Sequence, residues 1–247
     1  MDASARCFYD REYALLYRDR VAEVPQQMAF LERHAGAAKG ARVLDLGCGY
    51  GRHAVALAAR GCLVVGVDYS LPLLCKARQR AAHQAAGRGL QLVCADMTAL
   101  PLRREPTFDL ALLLFVTLGQ LPADAGQALL GEVRARLKTG GRLVVDVLSA
   151  DWHRTWAPEK TEWHPVGAPE VLVRDVQRSA PDGSVLIRRT VLRGGREEQY
   201  TLSQRLFTPE GLSGLLRKAG YEKVRLFGDW QDRGPEACCH IVAVATA

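Results

Sequence analysis

Three alternating glycines follow an apolar run early in the chain and constrain its fold more than any other feature. Residues 43–54 are Val-Leu-Asp-Leu-Gly-Cys-Gly-Tyr-Gly-Arg-His-Ala. The apolar run predicts a buried strand over 42–46, and the residues after the glycines predict a helix over 52–60. Glycine permits a tight turn and close approach of a ligand, and the first turn of a helix has free N–H groups. The stretch therefore predicts a strand–turn–helix unit that holds a cofactor.

The glycine spacing separates two classes of cofactor. Dinucleotide-binding turns have the pattern G-x-G-x-x-G, whereas this chain has G-x-G-x-G with Arg52 in place of the third glycine. A second apolar strand over 63–67 ends on Asp68, where a carboxylate can accept both hydroxyls of a ribose. This pair of features resembles class I S-adenosylmethionine (SAM)-dependent methyltransferases. On these residues alone, NAD use stays open.

Strands and helices alternate along the next hundred residues. Ser70 predicts a helix start, with an end near Gly87. Further strands are predicted over 90–94, 108–114 and 142–148, and a helix over 122–138. Such alternation predicts a parallel sheet whose ligand lies at the carboxyl ends of the strands. Four stretches follow such strand ends and are predicted to converge: 45–51, Asp68, Asp96 and Phe115.

The pattern changes over 150–207. An irregular aromatic stretch over 151–156 is followed by alternating runs over 170–177, 184–192 and 197–207, with turns at 181–183 and 194–195. These runs predict an antiparallel sheet of three or four strands that serves as a lid or a dimer surface. Thr208 then predicts a helix start with an end at Gly220, and the last two strands are expected over 221–228 and 237–245.

Composition narrows the class of partner. The chain has 33 cations and 27 anions in short mixed groups, so no nucleic-acid partner is expected. No apolar run reaches the ~18 residues of a membrane span, and the first residues lack a secretory pattern, so no membrane partner is expected. Seven cysteines without metal-binding spacing predict no metal site and a cytoplasmic location.

The whole chain resembles a class I methyltransferase, with the match over 40–148 and 208–247. Within that family it resembles the small-molecule type with a β insertion before a Thr-Pro-Glu helix start, and the strings 48–54 and 117–119 look like that group. The resemblance implies a Rossmann-like α/β fold with a seven-stranded, mostly parallel sheet of order 3-2-1-4-5-7-6 and helices on both faces. One domain over 1–247 is expected, with a helical cap (1–39), a SAM-binding core (40–149), a β insertion or lid (150–207) and a C-terminal part (208–247).

The resemblance also implies which residues bind SAM around its amino-acid end. Gly47, Gly49 and Gly51 would face the methionyl part. Asp45 would hold the amino group or order the loop. The backbone around Leu114 and Phe115 would receive the amino group.

The nucleoside end is assigned in the same way. Asp68 would bind the ribose hydroxyls, and Tyr69 would pack on the adenine edge. Asp96 would accept from the adenine amino group, and the Met97 backbone N–H would donate to a ring nitrogen. The alternatives are a strand-end cap for Asp68, a loop cap for Asp96 and core packing for Met97.

Aromatic residues recur at helical spacing near the N-terminus, within a helix predicted over 4–20. Tyr13 is the candidate that covers the cofactor, and Tyr17 is a candidate catalytic residue because an aromatic ring stabilises a nearby cation. The alternative is packing on the core. His153 is the candidate base for an oxygen acceptor because it follows strand five at the active face, with His164 second. Packing or surface exposure is the alternative for His153.

These features predict a SAM-dependent methyltransferase that transfers a methyl group to an N, O or S atom of a small molecule or short peptide. It is expected to act as a monomer or homodimer. Two alternatives are RNA or protein methylation and a non-catalytic SAM-binding scaffold.

Overall fold

The computed structural model describes residues 3–84, 86–155, 163–166, 168–180 and 182–247. Within these ranges the α-helices are α1 (Ala3–Arg11), α2 (Tyr13–Leu16), α3 (Val24–Ala35), α4 (Arg52–Ala59), α5 (Leu71–His83), α6 (Ala123–Arg134), α7 (Ala150–Thr155) and α8 (Pro209–Lys218). None of these helices is both long and apolar enough to cross a membrane.

The strands form two sheets. The first contains β1 (Arg42–Leu46), β2 (Leu63–Asp68), β3 (Leu90–Cys94), β4 (Phe108–Leu113), β5 (Leu137–Leu148), β10 (Glu222–Phe227) and β11 (His240–Thr246). The second contains β6 (His164–Val166), β7 (Ala168–Ser179), β8 (Ser184–Arg193) and β9 (Arg196–Arg205).

The first sheet has the order β3-β2-β1-β4-β5-β11-β10. Its first five strands in the chain are parallel, and β11 runs antiparallel to both β5 and β10. Counted within this sheet, the order is 3-2-1-4-5-7-6, which confirms the predicted fold class. Because the parallel strands end at one edge, the residues after β1, β2, β3 and β4 meet there.

Helices cover both faces of this sheet. Successive residues of a strand point to opposite faces, so Val43 packs with Met28 and Leu57 on one face, whereas Leu44 packs with Leu130 on the other. Burial on both sides explains why these strands are apolar at nearly every position. The predicted helix caps are also confirmed: Ser70 Oγ accepts from Leu73 N, and Thr208 Oγ1 accepts from Gly211 N.

Three predicted elements differ from the structure. The helix predicted over 122–138 ends at Arg134, because the Arg136 carbonyl accepts from the N–H groups of Thr107 and Phe108 and draws the chain into β5. The stretch over 151–156 was expected to be irregular, but α7 occupies it through Thr155; Trp156 lies outside the described residues. The helix predicted over 4–20 is divided into α1, α2 and a 3₁₀ helix over Arg18–Glu23.

The second sheet is antiparallel, as predicted, and packs on the N-terminal helices. Gly194 and Gly195, with φ of 57° and 75°, form the turn between β8 and β9. Phe8 of α1 and Leu16 of α2 form a hydrophobic cluster with side chains of β7, β8 and β9, namely Val171, Val173, Val191 and Tyr200. We call α1, α2 and β7–β9 together the roof, since α1 and α2 lie over the carboxyl edge of the first sheet.

Candidate functional site

A cavity of about 250 Å³ lies at the carboxyl edge of the first sheet, beneath the N-terminal helices. It contains eight of the residues that the sequence assigned to cofactor binding: Tyr13, Gly47, Gly49, Asp68, Tyr69, Asp96, Met97 and Phe115. Other side chains that line it include Arg6, Tyr9, Thr117 and Gln120. We call this space the first cavity.

The glycine loop after β1 forms one wall of the first cavity. The N–H groups of Gly47 and Cys48 donate to the Val67 carbonyl at 2.8 and 3.1 Å, which ties the loop to the end of β2. Gly47 has φ of +69°, and a Cβ there would lie 2.9 Å from Thr117 Cγ2. The loop therefore has no room for a side chain at this point. Gly51 does not line the cavity; its Cβ position lies 2.8 Å from that of Ala77 in α5.

Asp68 connects the glycine loop to the next helix. One carboxylate oxygen accepts from Gly49 N and the other from Ser70 N, each at 2.8 Å. Burial raises the pKa of Asp68, and these two backbone hydrogen bonds oppose the increase. Each carboxylate oxygen has a second lone pair. The side chain is therefore fixed by the backbone and still able to accept hydroxyl hydrogens from the cavity.

Asp96 and Tyr69 lie on the nucleoside side of the first cavity. Asp96 Oδ1 accepts from the Thr98 N–H and hydroxyl at 2.8 and 2.7 Å, which holds the pKa of Asp96 below its usual value. It is thus a loop cap, as the alternative expected, while its Oδ2 has no hydrogen-bond partner among the described residues. The Tyr69 hydroxyl is buried and also lacks one in the described part of the chain. Both atoms remain available to a ligand. Met97 lines the cavity as well, and its side chain packs on the core.

Asp45 lies beneath the glycine loop and is only 2% exposed. Burial raises its pKa to about 7, although the positive charge of Arg52 opposes this. Its Oδ2 has no hydrogen-bond partner among the described residues. A buried carboxylate with an unused oxygen fits a nearby ligand cation.

The chain after β4 has an unusual backbone. Phe115 and Val116 both have positive φ, 55° and 58°, which is strained for non-glycine residues. The Phe115 N–H donates to Asp146 Oδ2 at 3.0 Å, and the Leu114 carbonyl accepts from the Thr117 hydroxyl at 2.7 Å. Leu114 is buried and does not line the first cavity, whereas Phe115 does. This backbone is thus held by protein groups that the sequence did not suggest.

The two candidate tyrosines have different positions. Tyr13 lines the first cavity and covers Gly49, with 3.4 Å between its Cε1 and a Cβ built there. Tyr17 does not line it: its hydroxyl accepts from Arg189 at 2.6 Å, and its ring lies 5.2 Å from that of Phe115. The catalytic role of Tyr17 stays a prediction, with Phe115 as its connection to the site.

His153 lies on α7, where its backbone N–H donates to the Ser149 carbonyl. The centroid of its ring lies 6.5 Å from that of Trp152. It is not among the described residues that line the first cavity or the larger one described next. Its role as a base stays a prediction. The side chain of His164 lies outside the described part of the chain.

A second cavity, of about 500 Å³, adjoins Phe115, which lines both spaces. His240 and Asp146 line it, and His240 Nδ1 lies 2.6 Å from Asp146 Oδ1. Sequence reasoning missed both residues. The sequence carries two signals for them. Asp146 is an acidic residue inside the apolar run of β5. His240 lies near the start of the final strand, and antiparallel pairing places the start of that strand at the same sheet edge as the end of β5. Other aromatic and charged side chains here are Trp152, Trp230, Arg20, Glu23, Asp229 and Arg233.

The residues of the first cavity fit SAM. A glycine loop without side-chain space can approach the methionyl part. Asp45 does not line the first cavity; it is buried behind this loop, where its unused oxygen adds negative charge near that part. Asp68 and Asp96 offer acceptors to a ribose and to an adenine amino group, and Tyr69 offers a ring and a hydroxyl. In the described ranges no group of His, Cys, Asp and Glu is arranged to hold a metal ion.

Comparison with known proteins identifies relatives of this chain. Residues 43–141 match the family described as "Methyltransferase domain". The ubiquinone biosynthesis O-methyltransferase of Idiomarina loihiensis is 28% identical over 152 residues, 57% of this chain and 60% of that protein. The demethylmenaquinone methyltransferase of Corynebacterium kroppenstedtii is 32% identical over 185 residues, 75% of this chain and 69% of that protein.

The fold has relatives of known structure. The CcbJ methyltransferase from Streptomyces caelestis superposes with a TM-score of 0.79 at 25% identity, covering 91% of this chain and 95% of that one. The matched stretches span 60% and 69% of the lengths of the two curated relatives. The sequence similarity, the sheet order and the glycine–Asp68–Asp96 cavity together show that the chain belongs to the class I SAM-dependent methyltransferases.

Proposed function

We propose that this protein transfers a methyl group from SAM to an N, O or S atom of a small molecule or short peptide. The observation that carries the proposal is the first cavity, in which the glycine loop, Asp68 and Asp96 converge under Tyr9 and Tyr13. SAM, when bound, supplies a methyl group already activated by a positive sulfur. The chain's own residues then need to bind SAM and the acceptor, orient them toward each other, and exclude water from the site.

Different residues in and around the first cavity bind different parts of SAM in this proposal. Asp68, fixed by two backbone N–H groups, holds the ribose in one orientation. Asp45, buried behind the glycine loop, contributes negative charge near the amino-acid end, and the rings of Tyr13 and Phe115, 6.0 Å apart, both line the cavity. Alignment of reacting groups by such a rigid site contributes up to ~7–11 kcal/mol to catalysis.

A small acceptor is favoured by the second cavity. Its two arginines are both neutralised by neighbours, since Arg20 pairs with Glu23 and Arg233 pairs with Asp229. Among the described residues that line this opening, these pairs leave no unpaired arginine from which a basic track toward a nucleic acid could start. Two relatives are named for quinone-related methylations, which supports a small organic acceptor here. We also propose a cytoplasmic location, since all seven cysteines are free, and a monomer or homodimer.

Calorimetric titration with S-adenosylhomocysteine, with NAD as the control, tests the proposal. We expect binding of the former with a dissociation constant in the micromolar range, about −8 kcal/mol, and no heat from NAD. Binding of NAD alone, or of neither compound, would contradict the proposal.

A further inference from the structure

We propose that His240, held by Asp146, is the base that removes the proton from a hydroxyl acceptor bound in the second cavity. This inference rests on the proposed function and adds the acceptor class, a planar phenol or enol hydroxyl, and the residue that activates it.

The first step of the argument is the position of the pair. β11 runs antiparallel to β5, with Asp146 opposite Val242 and Leu148 opposite His240. His240 is therefore a diagonal neighbour of Asp146 on the same face of the sheet. Both residues line the second cavity at the edge of the sheet where the first cavity also lies.

The second step is the state of the imidazole. Asp146 Oδ1 lies 2.6 Å from His240 Nδ1, so Nδ1 carries a hydrogen and donates it to the carboxylate. In the neutral ring the lone pair is then on Nε2. Nε2 has no hydrogen-bond partner among the described residues, and about a third of the side chain is exposed (32%). The ring thus presents a proton acceptor to the cavity.

The third step links the base to the cofactor side. The other oxygen of Asp146 accepts from the N–H of Phe115, the residue that borders both cavities. One carboxylate therefore orients the base on one side and the strained turn between the cavities on the other. An acceptor bound beside His240 would therefore lie next to Phe115, whose other side borders the first cavity where the methionyl part of SAM is proposed to bind.

The chemistry of the walls indicates the acceptor. Trp152, Trp230 and Phe115 supply aromatic surface, which suits a flat ring. In the reaction the acceptor O–H bond breaks and its proton passes to Nε2. The oxygen forms its bond to the methyl group while the methyl–sulfur electron pair stays on sulfur, so the positive charge moves from sulfur to the imidazolium. Asp146 then stabilises that imidazolium.

The charged groups around the pair set its pH range. Asp146 raises the pKa of His240 above its usual value, burial opposes this, and Arg20 and Glu23 act in opposite directions. Because the folded pKa is raised, His240 is protonated below it and serves as a base only above it. Methylation of a hydroxyl is therefore expected to rise with pH through this pKa.

Binding of 4-nitrophenol tests the inference, since its phenolate is visible by absorbance. With S-adenosylhomocysteine bound, we expect the wild-type protein to increase the phenolate-to-phenol ratio of the bound probe about tenfold, one pH unit. H240Q should lose this increase. H83Q, which changes an exposed histidine of α5 remote from the second cavity, should keep it.

The same samples separate two kinds of failure. Calorimetry with S-adenosylhomocysteine reports whether each variant is folded and binds the cofactor product, and H240N serves as the second variant if H240Q is not folded. No phenolate increase in the wild type, or an equal increase in wild type and variant with S-adenosylhomocysteine bound to both, overturns the role of His240 and leaves the proposed function intact. Absence of S-adenosylhomocysteine binding to the wild type overturns both.

Discussion

At the scale of single residues, Asp68 combines a structural role with a position in the first cavity. Both of its carboxylate oxygens accept from backbone N–H groups, and the residue lines the cavity in which we propose that it binds the ribose. Substitution by asparagine keeps the shape and removes the charge. Its effect on the cofactor site therefore measures the contribution of the negative charge.

We expect D68N to weaken S-adenosylhomocysteine binding at least about tenfold. Hydrogen bonds to a charged group contribute about 1.5–3 kcal/mol each, and about 1.4 kcal/mol corresponds to tenfold in affinity. Calorimetry measures the change. D109N is the matched control, because Asp109 pairs with Lys138 and the Arg42 N–H at the start of β4, away from the cavity. An unchanged affinity in D68N would contradict the ribose assignment.

The raised pKa of Asp45 predicts how stability and cofactor affinity depend on pH. Its folded pKa of about 7 lies above the usual aspartate value of 3.8. The folded state therefore binds an extra proton between these values, and the stability that this proton confers is lost as pH rises through that range. A ligand ammonium group next to Asp45 favours the ionised form.

We therefore expect affinity for S-adenosylhomocysteine to rise as pH approaches about 7 and to level off above it. The slope is at most about tenfold per pH unit. Below this pH, binding of S-adenosylhomocysteine should release a proton from Asp45. Calorimetric titrations in two buffers of different ionisation enthalpy should detect that proton as a difference in the binding heat. D45N should flatten the profile, and a profile that stays equally steep in D45N would remove Asp45 as its source.

Some site residues could be predicted from sequence, and the reason is local. Gly47, Asp68 and Asp96 each follow a strand end, and a parallel sheet brings strand ends together whatever the loops do. His240 and Asp146 could not be paired in this way, because they are 94 positions apart and meet only through the antiparallel register of β11 with β5. A contact that depends on the register between two strands far apart in the chain cannot be predicted from the local sequence around either residue.

At the scale of elements, the glycine loop contains residues that line the first cavity and a residue that allows close packing of a helix. Gly49 lines the first cavity and has only Tyr13 near its Cβ position, at 3.4 Å. Gly51 has φ of +75° and faces α5, where its Cβ would lie 2.8 Å from that of Ala77. The resemblance assigned both to the cofactor, whereas the structure gives Gly51 a packing position.

We predict opposite dominant effects for the two alanine variants. G51A should lower the free energy of unfolding by about 2–5 kcal/mol, from a positive φ at about 1–2 kcal/mol and overpacking at about 1–3 kcal/mol. G49A should lose less stability, about 1–2 kcal/mol, but should bind S-adenosylhomocysteine more weakly because its methyl group enters the cavity. Urea unfolding and calorimetry on both variants measure this. Equal stability with weaker ligand binding in G51A would contradict the packing position.

The errors in element boundaries have a similar physical origin. The helix predicted over 122–138 stops just before Gly140 and Gly141, a pair that suits a helix end. Both glycines lie inside β5 instead, where Gly140 has φ of +75° and the pairing with β4 shifts register. Glycine pairs mark both helix ends and irregular strands. Tertiary hydrogen bonds favour the strand here: the Arg136 carbonyl accepts from Thr107 and Phe108, and Gly140 N donates to the Ala247 carbonyl.

At the scale of the whole molecule, the roof forms a cluster separate from the two that cover the first sheet. Ion pairs and a hydrogen bond connect its sheet internally and to the residues that flank α2: Arg189 pairs with Asp175 and donates to the Tyr17 hydroxyl, and Arg193 lies 3.2 Å from the buried Glu12. Arg6, Tyr9 and Tyr13 of the roof also line the first cavity. The cofactor therefore enters a space whose cover has a core of its own.

This arrangement predicts that the roof can loosen while the first sheet stays folded. Phe8 is 1% exposed and central to the roof cluster, so F8A should remove about 3–5 kcal/mol of packing there. We expect faster dissociation of S-adenosylhomocysteine in stopped-flow measurements and faster hydrogen exchange over 3–17 and β7–β9, with little change in β1 and β4. F30A is the matched control: Phe30 is equally buried but packs on the first sheet, so its loss should raise exchange in the sheet and lower the midpoint of global unfolding. If F8A raised exchange in β1 and β4 as much as in α1, the roof and the sheet would unfold as one unit, and cofactor entry would then require opening of the first sheet as well as of the roof.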